Sequence, residues 1–217
     1  EDGAELGRWS ARYPLLRGRV FERLIVDSVV AISTVLLPRA IFERLGGFRP
    51  SFRYVEDLDL ILRVAERNPI DVVGVPMAKY RLHPASVSRS LGLEVAVEEM
   101  LVLCEDWIAW APSRRAVVTR ALARYLYMAG KTAFYRGDDE QAGQYLHESW
   151  RRHPTIRARL FAELARRAPR ALRRVRAAIM RVRGQAGPAP GPLRDPSPDL
   201  RGDDRGGRRA VVRGTRQ

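Results

Sequence analysis

Glu56, Asp57 and Asp59 place three carboxylates at the start of an apolar series, Leu58, Ile61, Leu62 and Ala65, that recurs at helical spacing. A carboxylate on the first turn of a packed helix is held rigidly at the edge of a core. From there it can take a proton from an attacking hydroxyl, an effect worth roughly a hundred- to ten-thousand-fold in rate. Acids at this position also stabilise the helix dipole with no chemistry at all. Spacing alone leaves both roles open. His83 offers an imidazole that can ligate a metal when neutral, or a structural hydrogen bond in the turn before Pro84. Arg81 falls on the same face of an extended segment and suits either a phosphate or a surface ion pair. Gly46, Gly47 and Phe48 either shape a pocket, or end a helix and fill the core. Cys104, the single cysteine, lies in an apolar helical stretch and reads as buried and inert. It excludes an intrachain disulfide and fits a reducing compartment.

These residues need elements to hold them. Residues 1–23 are polar and aperiodic and read as a loop. Ser28–Leu37 (SVVAISTVLL) is rich in β-branched residues and predicts a buried strand, followed by a short helix over Ala40–Leu45 that Gly46-Gly47 stop. The carboxylate helix spans residues 56–67 and ends at Asn68-Pro69. Ile70–Val75 predicts a second strand, and Met77–His83 an extended segment. Residues 94–111 and 114–135 have helical patterns separated at Pro112-Ser113. Gly130, Gly137, Ala142, Leu146, Ser149 and Pro154 fall on the spacing of a tetratricopeptide repeat, a helix hairpin of about 34 residues. Trp107 and Trp110 belong to that helical part and read as core or hairpin contacts. Basic amphipathic helices follow over residues 155–183, broken near Pro169.

Three segments, STVLLPRAIFERLGGF, VEDLDLILRVA and VPMAKYRLHPASVS, occur in this order within Ser33–Ser88. Together they resemble the family-two inverting glycosyltransferases of the GT-A fold. In that family a small-residue strand precedes a short helix ending in Gly-Gly-Phe, a Glu-Asp pair opens a helix, and a Tyr-Arg-any-His segment follows. The resemblance covers roughly the first 90 residues. It implies transfer of a sugar, with inversion, from a nucleoside diphosphate donor to a hydroxyl of a glycan or lipid-linked acceptor. It further implies Asp57 as the catalytic base beside Glu56, and Gly46, Gly47 and Phe48 at the acceptor. Arg81 and His83 would stand at the donor diphosphate, with His83 also the metal candidate. A divalent ion, Mg or Mn, is implied by the resemblance alone. Asp57-Leu58-Asp59 spells the family's Asp-any-Asp metal signature but lies inside a helical pattern, where the signature should end a strand. No other Asp-any-Asp precedes it, and no βαβ nucleotide-binding series does.

The expected fold is therefore α/β. Residues 1–92 form the C-terminal, acceptor-side part of a GT-A sheet. A helical region with one tetratricopeptide-like hairpin follows over 93–156, basic amphipathic helices over 157–184, and a disordered tail over 185–217. Charge is uneven along this plan. Residues 151–217 contain 19 Arg and five acids, which accounts for the whole net charge of +14. Leu172, Val175, Ile179 and Val182 make an apolar stripe among these arginines, as an interfacial helix on an anionic membrane would. The one aromatic after Trp150, Phe161, argues against nucleic acid as the partner. No secretory signal opens the chain, and the longest apolar stretch, Leu24–Leu37, is too short and polar for a bilayer span of about 20 residues. The expected location is cytoplasmic, peripheral at the inner face of the plasma membrane. Two other classes stay in view: a non-catalytic helical interaction module retaining part of an enzyme domain, and a basic nucleic-acid-binding protein.

Overall fold

A computed structural model describes residues 15–27, 30–79, 92–167 and 169–183. Among these residues the regular structure is helical. The helices are α1 (Phe21–Asp27), α2 (Arg39–Arg44), α3 (Glu56–Arg67), α4 (Leu93–Trp110), α5 (Arg115–Arg136), α6 (Asp139–Arg152), α7 (Ile156–Arg167) and α8 (Pro169–Arg183). The α/β expectation is overturned, because no strand of a sheet forms among the described residues. Ile32–Thr34 is a single 3-10 turn inside the run expected as the first strand. The second expected strand contributes one isolated antiparallel bridge, between Gly18 and Ile70, closed by N–H···O bonds of 2.7 and 2.9 Å. The physical reason is that β propensity expresses side-chain fit to neighbouring strands, not a backbone preference that acts alone. Here Val30, Val35 and Ile70 pack against helices and not against a neighbouring strand, and other apolar side chains face solvent: Leu36 is 99% exposed and Met77 75%. A further difference is α1, which begins inside the stretch read as loop.

The helices follow from local pattern and local stops. α3 buries Leu58, Leu60, Ile61, Leu62, Val64 and Ala65. It ends at Asn68, whose extended backbone (φ −123°, ψ 144°) is the conformation required before Pro69. Gly46 and Gly47 stop α2 with φ of +76° and +67°. A side chain at Gly47 would also meet the Phe42 ring at 2.9 Å. α5 terminates at Gly137 in the left-handed region (φ +92°), and Asp138 then caps α6 by accepting the Gln141 N–H at 2.9 Å.

A continuous apolar core joins the parts. It runs from Phe21, Leu24 and Ile25 through Phe52, Val55, Ile61 and Leu62 to Leu103, Trp107, Leu122, Leu126 and Phe134. α1 packs on α3 and α5, and α4 on α5, whereas α5, α6, α7 and α8 stack in sequence. The α5–α6 contact is the tightest. A Cβ on Gly130 would lie 2.6 Å from Leu146 Cγ, and Ser149 Oγ donates to the Ala123 carbonyl at 2.7 Å. Ala142 is fully buried. No helix among the described residues is long and apolar enough to cross a membrane.

Candidate active site

The acids of α3 separate into two environments. Asp59 is 1% exposed, and its two oxygens accept from Arg49 at 2.7 Å and from Arg63 at 2.6 and 3.0 Å. Arg63 also donates to the carbonyls of Leu45 and Gly47, at 2.6 and 2.7 Å, so one ion-paired cluster ties the Gly-Gly turn to α3. Arg49 reaches Asp106 of α4 at 2.6 Å as well. Asp59 is thus saturated, and its work is to hold the α2–α3 junction.

Glu56 and Asp57 stand on the first turn instead. Asp57 is half-buried, and its Oδ1 accepts the Leu58 N–H at 2.6 Å. It edges a small apolar pocket formed with Leu24, Val30, Ile32, Leu58 and Ile61. The pocket's free volume, about 10 Å³, is close to that of one water. Glu56 is half-buried too, and its Oε2 is buried with no hydrogen-bond partner among the described residues. Burial pushes the Glu56 carboxyl above the ordinary glutamate range. The charges of Asp57 and Glu99 add to that rise, and a hydrogen bond from its own backbone opposes it. A carboxyl that binds its proton more tightly is a better base for a hydroxyl than an ordinary one.

What positions this turn is a residue the sequence reading did not single out. Val55 precedes α3 and provides no side-chain cap. Glu99 of α4 replaces it, accepting from the backbone N–H groups of Arg53 (2.9 and 3.0 Å), Tyr54 (2.7 Å) and Val55 (3.2 Å). The signal was legible. Glu99 occupies an inward position between Ala96 and Leu103 on an apolar helix face, where an acid is buried only if it has donors.

Of the expected site residues, the structure brings Glu56 and Asp57 together. Gly46, Gly47 and Phe48 lie at the α2–α3 junction, with Phe48 42% exposed and edge-on to Phe42 at 5.7 Å. That junction belongs to the Asp59 and Arg63 side of α3. On a helix these positions lie about 200° and 240° around from Asp57. The acceptor candidates therefore do not face the base candidate. Arg81 and His83 lie outside the described residues. A roomier cleft of about 290 Å³, lined by Ile41, Arg44, Leu45, Arg67 and Asn68, opens at the opposite end of α3 and contains no carboxylate. Among the described residues no three His, Cys, Asp or Glu side chains converge where an ion could be held. Asp57 and Asp59 point to different environments and do not form a ligand pair. Burial pushes the Cys104 thiol up to about 12, which keeps it protonated and unreactive. No family model, curated protein or solved structure matches the chain.

Proposed function

We propose that the chain is the acceptor-side part of an inverting nucleotide-sugar glycosyltransferase, with Asp57 as the base and Glu56 beside it. The carrying observation is the carboxylate pair on the first turn of α3, with Asp57 at the edge of a small apolar pocket and Glu56, its carboxyl raised by burial, beside it. The order of the Gly-Gly-Phe, Glu-Asp and Tyr-Arg-any-His segments supports the same reading. In the reaction the acceptor oxygen bonds to the anomeric carbon as the carbon–oxygen bond to the diphosphate breaks. The hydroxyl proton passes to the carboxylate, and the nucleoside diphosphate leaves with the electron pair. A single displacement inverts the anomeric centre. Arg81 and His83 would meet the diphosphate, and a divalent ion bound there would draw charge from the leaving group. A lipid-linked acceptor would be met at the inner face of the plasma membrane by a cytoplasmic, peripheral enzyme.

One observation favours a second reading, a non-catalytic helical interaction module: the described residues build helices and no sheet. The experiment that separates the two offers a panel of nucleoside diphosphate sugars and hydroxyl acceptors to the natural full-length protein. Anomeric configuration of any product is then read by NMR. Asp57→Asn should lower the transfer rate by roughly a hundredfold or more with folding intact. Near-parental turnover in that variant returns Asp57 to helix capping, and no transfer from any donor favours the interaction module.

A further inference from the structure

α7 and α8 contain ten arginines and a single acid, Glu163, between residues 156 and 183. On α8 a basic side chain faces the interior: Arg176 donates to the Phe134 carbonyl at 3.1 Å, pairs with Asp139 and lies over the Phe134 ring. Val175 is 43% exposed there and Ile179 half-buried. α7 differs. Ala158 and Ala162 face inward, and Phe161 packs edge-on against Phe134 at 5.2 Å. Ile156 and Leu160, one turn apart, face out and are 79% and 65% exposed. Arg157 and Arg159 are both exposed, and each falls about 80° to one side of this aliphatic pair. Glu163, the acid on that face, is tied to Arg167 at 2.7 Å.

We propose that this outer face of α7, Ile156 and Leu160 between Arg157 and Arg159, is the surface by which the chain lies on an anionic lipid bilayer. Aliphatic side chains flanked by cations are the pattern of an interfacial helix. The apolar pair enters the acyl boundary while the guanidinium groups remain among the headgroup phosphates. Charge complementarity selects the occupant. Each arginine near an anionic leaflet is attracted to it, and the neighbouring helix adds more of the same sign. Nucleic acid would find no stacking ring here, because Phe161 is spent on Phe134. The inference deepens the peripheral placement proposed above and does not depend on chemistry at Asp57.

The test uses the full chain and sedimentation with vesicles of phosphatidylserine and phosphatidylcholine in equal parts, with phosphatidylcholine alone as control. The parent should sediment with the anionic vesicles only. An Ile156→Ser/Leu160→Ser variant, with unchanged helical circular dichroism, should bind on the order of tenfold more weakly. Arg157→Gln/Arg159→Gln should also weaken binding and flatten its salt dependence. Parental affinity in the Ser variant overturns the α7 face and leaves peripheral placement standing. Failure of the parent to bind anionic vesicles, or its capture by a single-stranded oligonucleotide instead, overturns both.

Discussion

Between α5 and α6 the helices meet through small side chains, with Gly130 against Leu146, Ala142 in the seam and one buried hydroxyl bond from Ser149. Within residues 15–79 the corresponding joint is ionic. There Asp59, Arg49 and Arg63 join α2, α3 and the connecting turn, and Glu99 reaches in from α4 to complete the cap. The difference follows from how much regular structure each region has. Long helices satisfy their own backbone and need only shape at the contact. Short helices joined by irregular chain leave carbonyls and N–H groups over, and charged side chains are the groups long and strong enough to collect several of them at once. The first-turn acids of α3 thus divide between Asp59, which holds the fold, and Glu56 and Asp57, which take no part in that cluster.

The comparison is broken most directly at Asp59. Asp59→Ala leaves two arginines without their common carboxylate and should destabilise the protein by about 3 kcal/mol, read by urea denaturation. A loss below about 1 kcal/mol would mean that the ionic joint is ornamental and that apolar packing alone holds both regions. Gly130→Val tests the other region. Its side chain meets Leu146 and the Ala142 carbonyl, so about 2 kcal/mol should be lost despite the better helix propensity. A neutral outcome would show that α5 and α6 can move apart.

Glu56 sharpens the comparison with the smallest effect. Its carboxyl is raised in the folded state, so the folded protein binds that proton more tightly than the unfolded chain does. Stability from this source is present at low pH. It is lost as pH rises from the ordinary glutamate range through the raised value. Glu56→Gln should therefore match the parent in acid and exceed it near neutrality by a few tenths of a kcal/mol, the exposed half of the group being screened by solvent. Thermal unfolding across that pH range checks it, and a variant less stable than the parent near neutrality would reverse the sign assigned to this burial.

How far the sequence could be read depended on whether the deciding interaction was local. α3 was legible to the residue, because Leu58, Ile61 and Leu62 set its face and Asn68-Pro69 its end. Farther along, Gly130, Ala142 and Ser149 gave away only the spacing of a helix hairpin, and the structure adds that Gly130 meets Leu146 and that Gly137 ends α5. Ser28–Leu37 was not, since a β-branched run becomes a strand only when another strand pairs with it, and residue spacing does not report that. At the candidate site the pair Glu56-Asp57 was legible by position. The fate of Asp59 was not, because its partner Arg49 lies ten residues away across an irregular loop.

The cap that Glu99 supplies to α3 has a consequence for how the chain is made. Val55 and Glu99 are 44 residues apart, and synthesis delivers them in that order. At about 5–20 residues per second, several seconds separate the emergence of the α3 first turn from that of the carboxylate that satisfies the chain before it. A 12-residue helix is marginal by itself in water, so α3 cannot simply wait in its final form. On the ribosome, the backbone N–H groups of residues 53–55 therefore wait for their carboxylate until α4 has emerged.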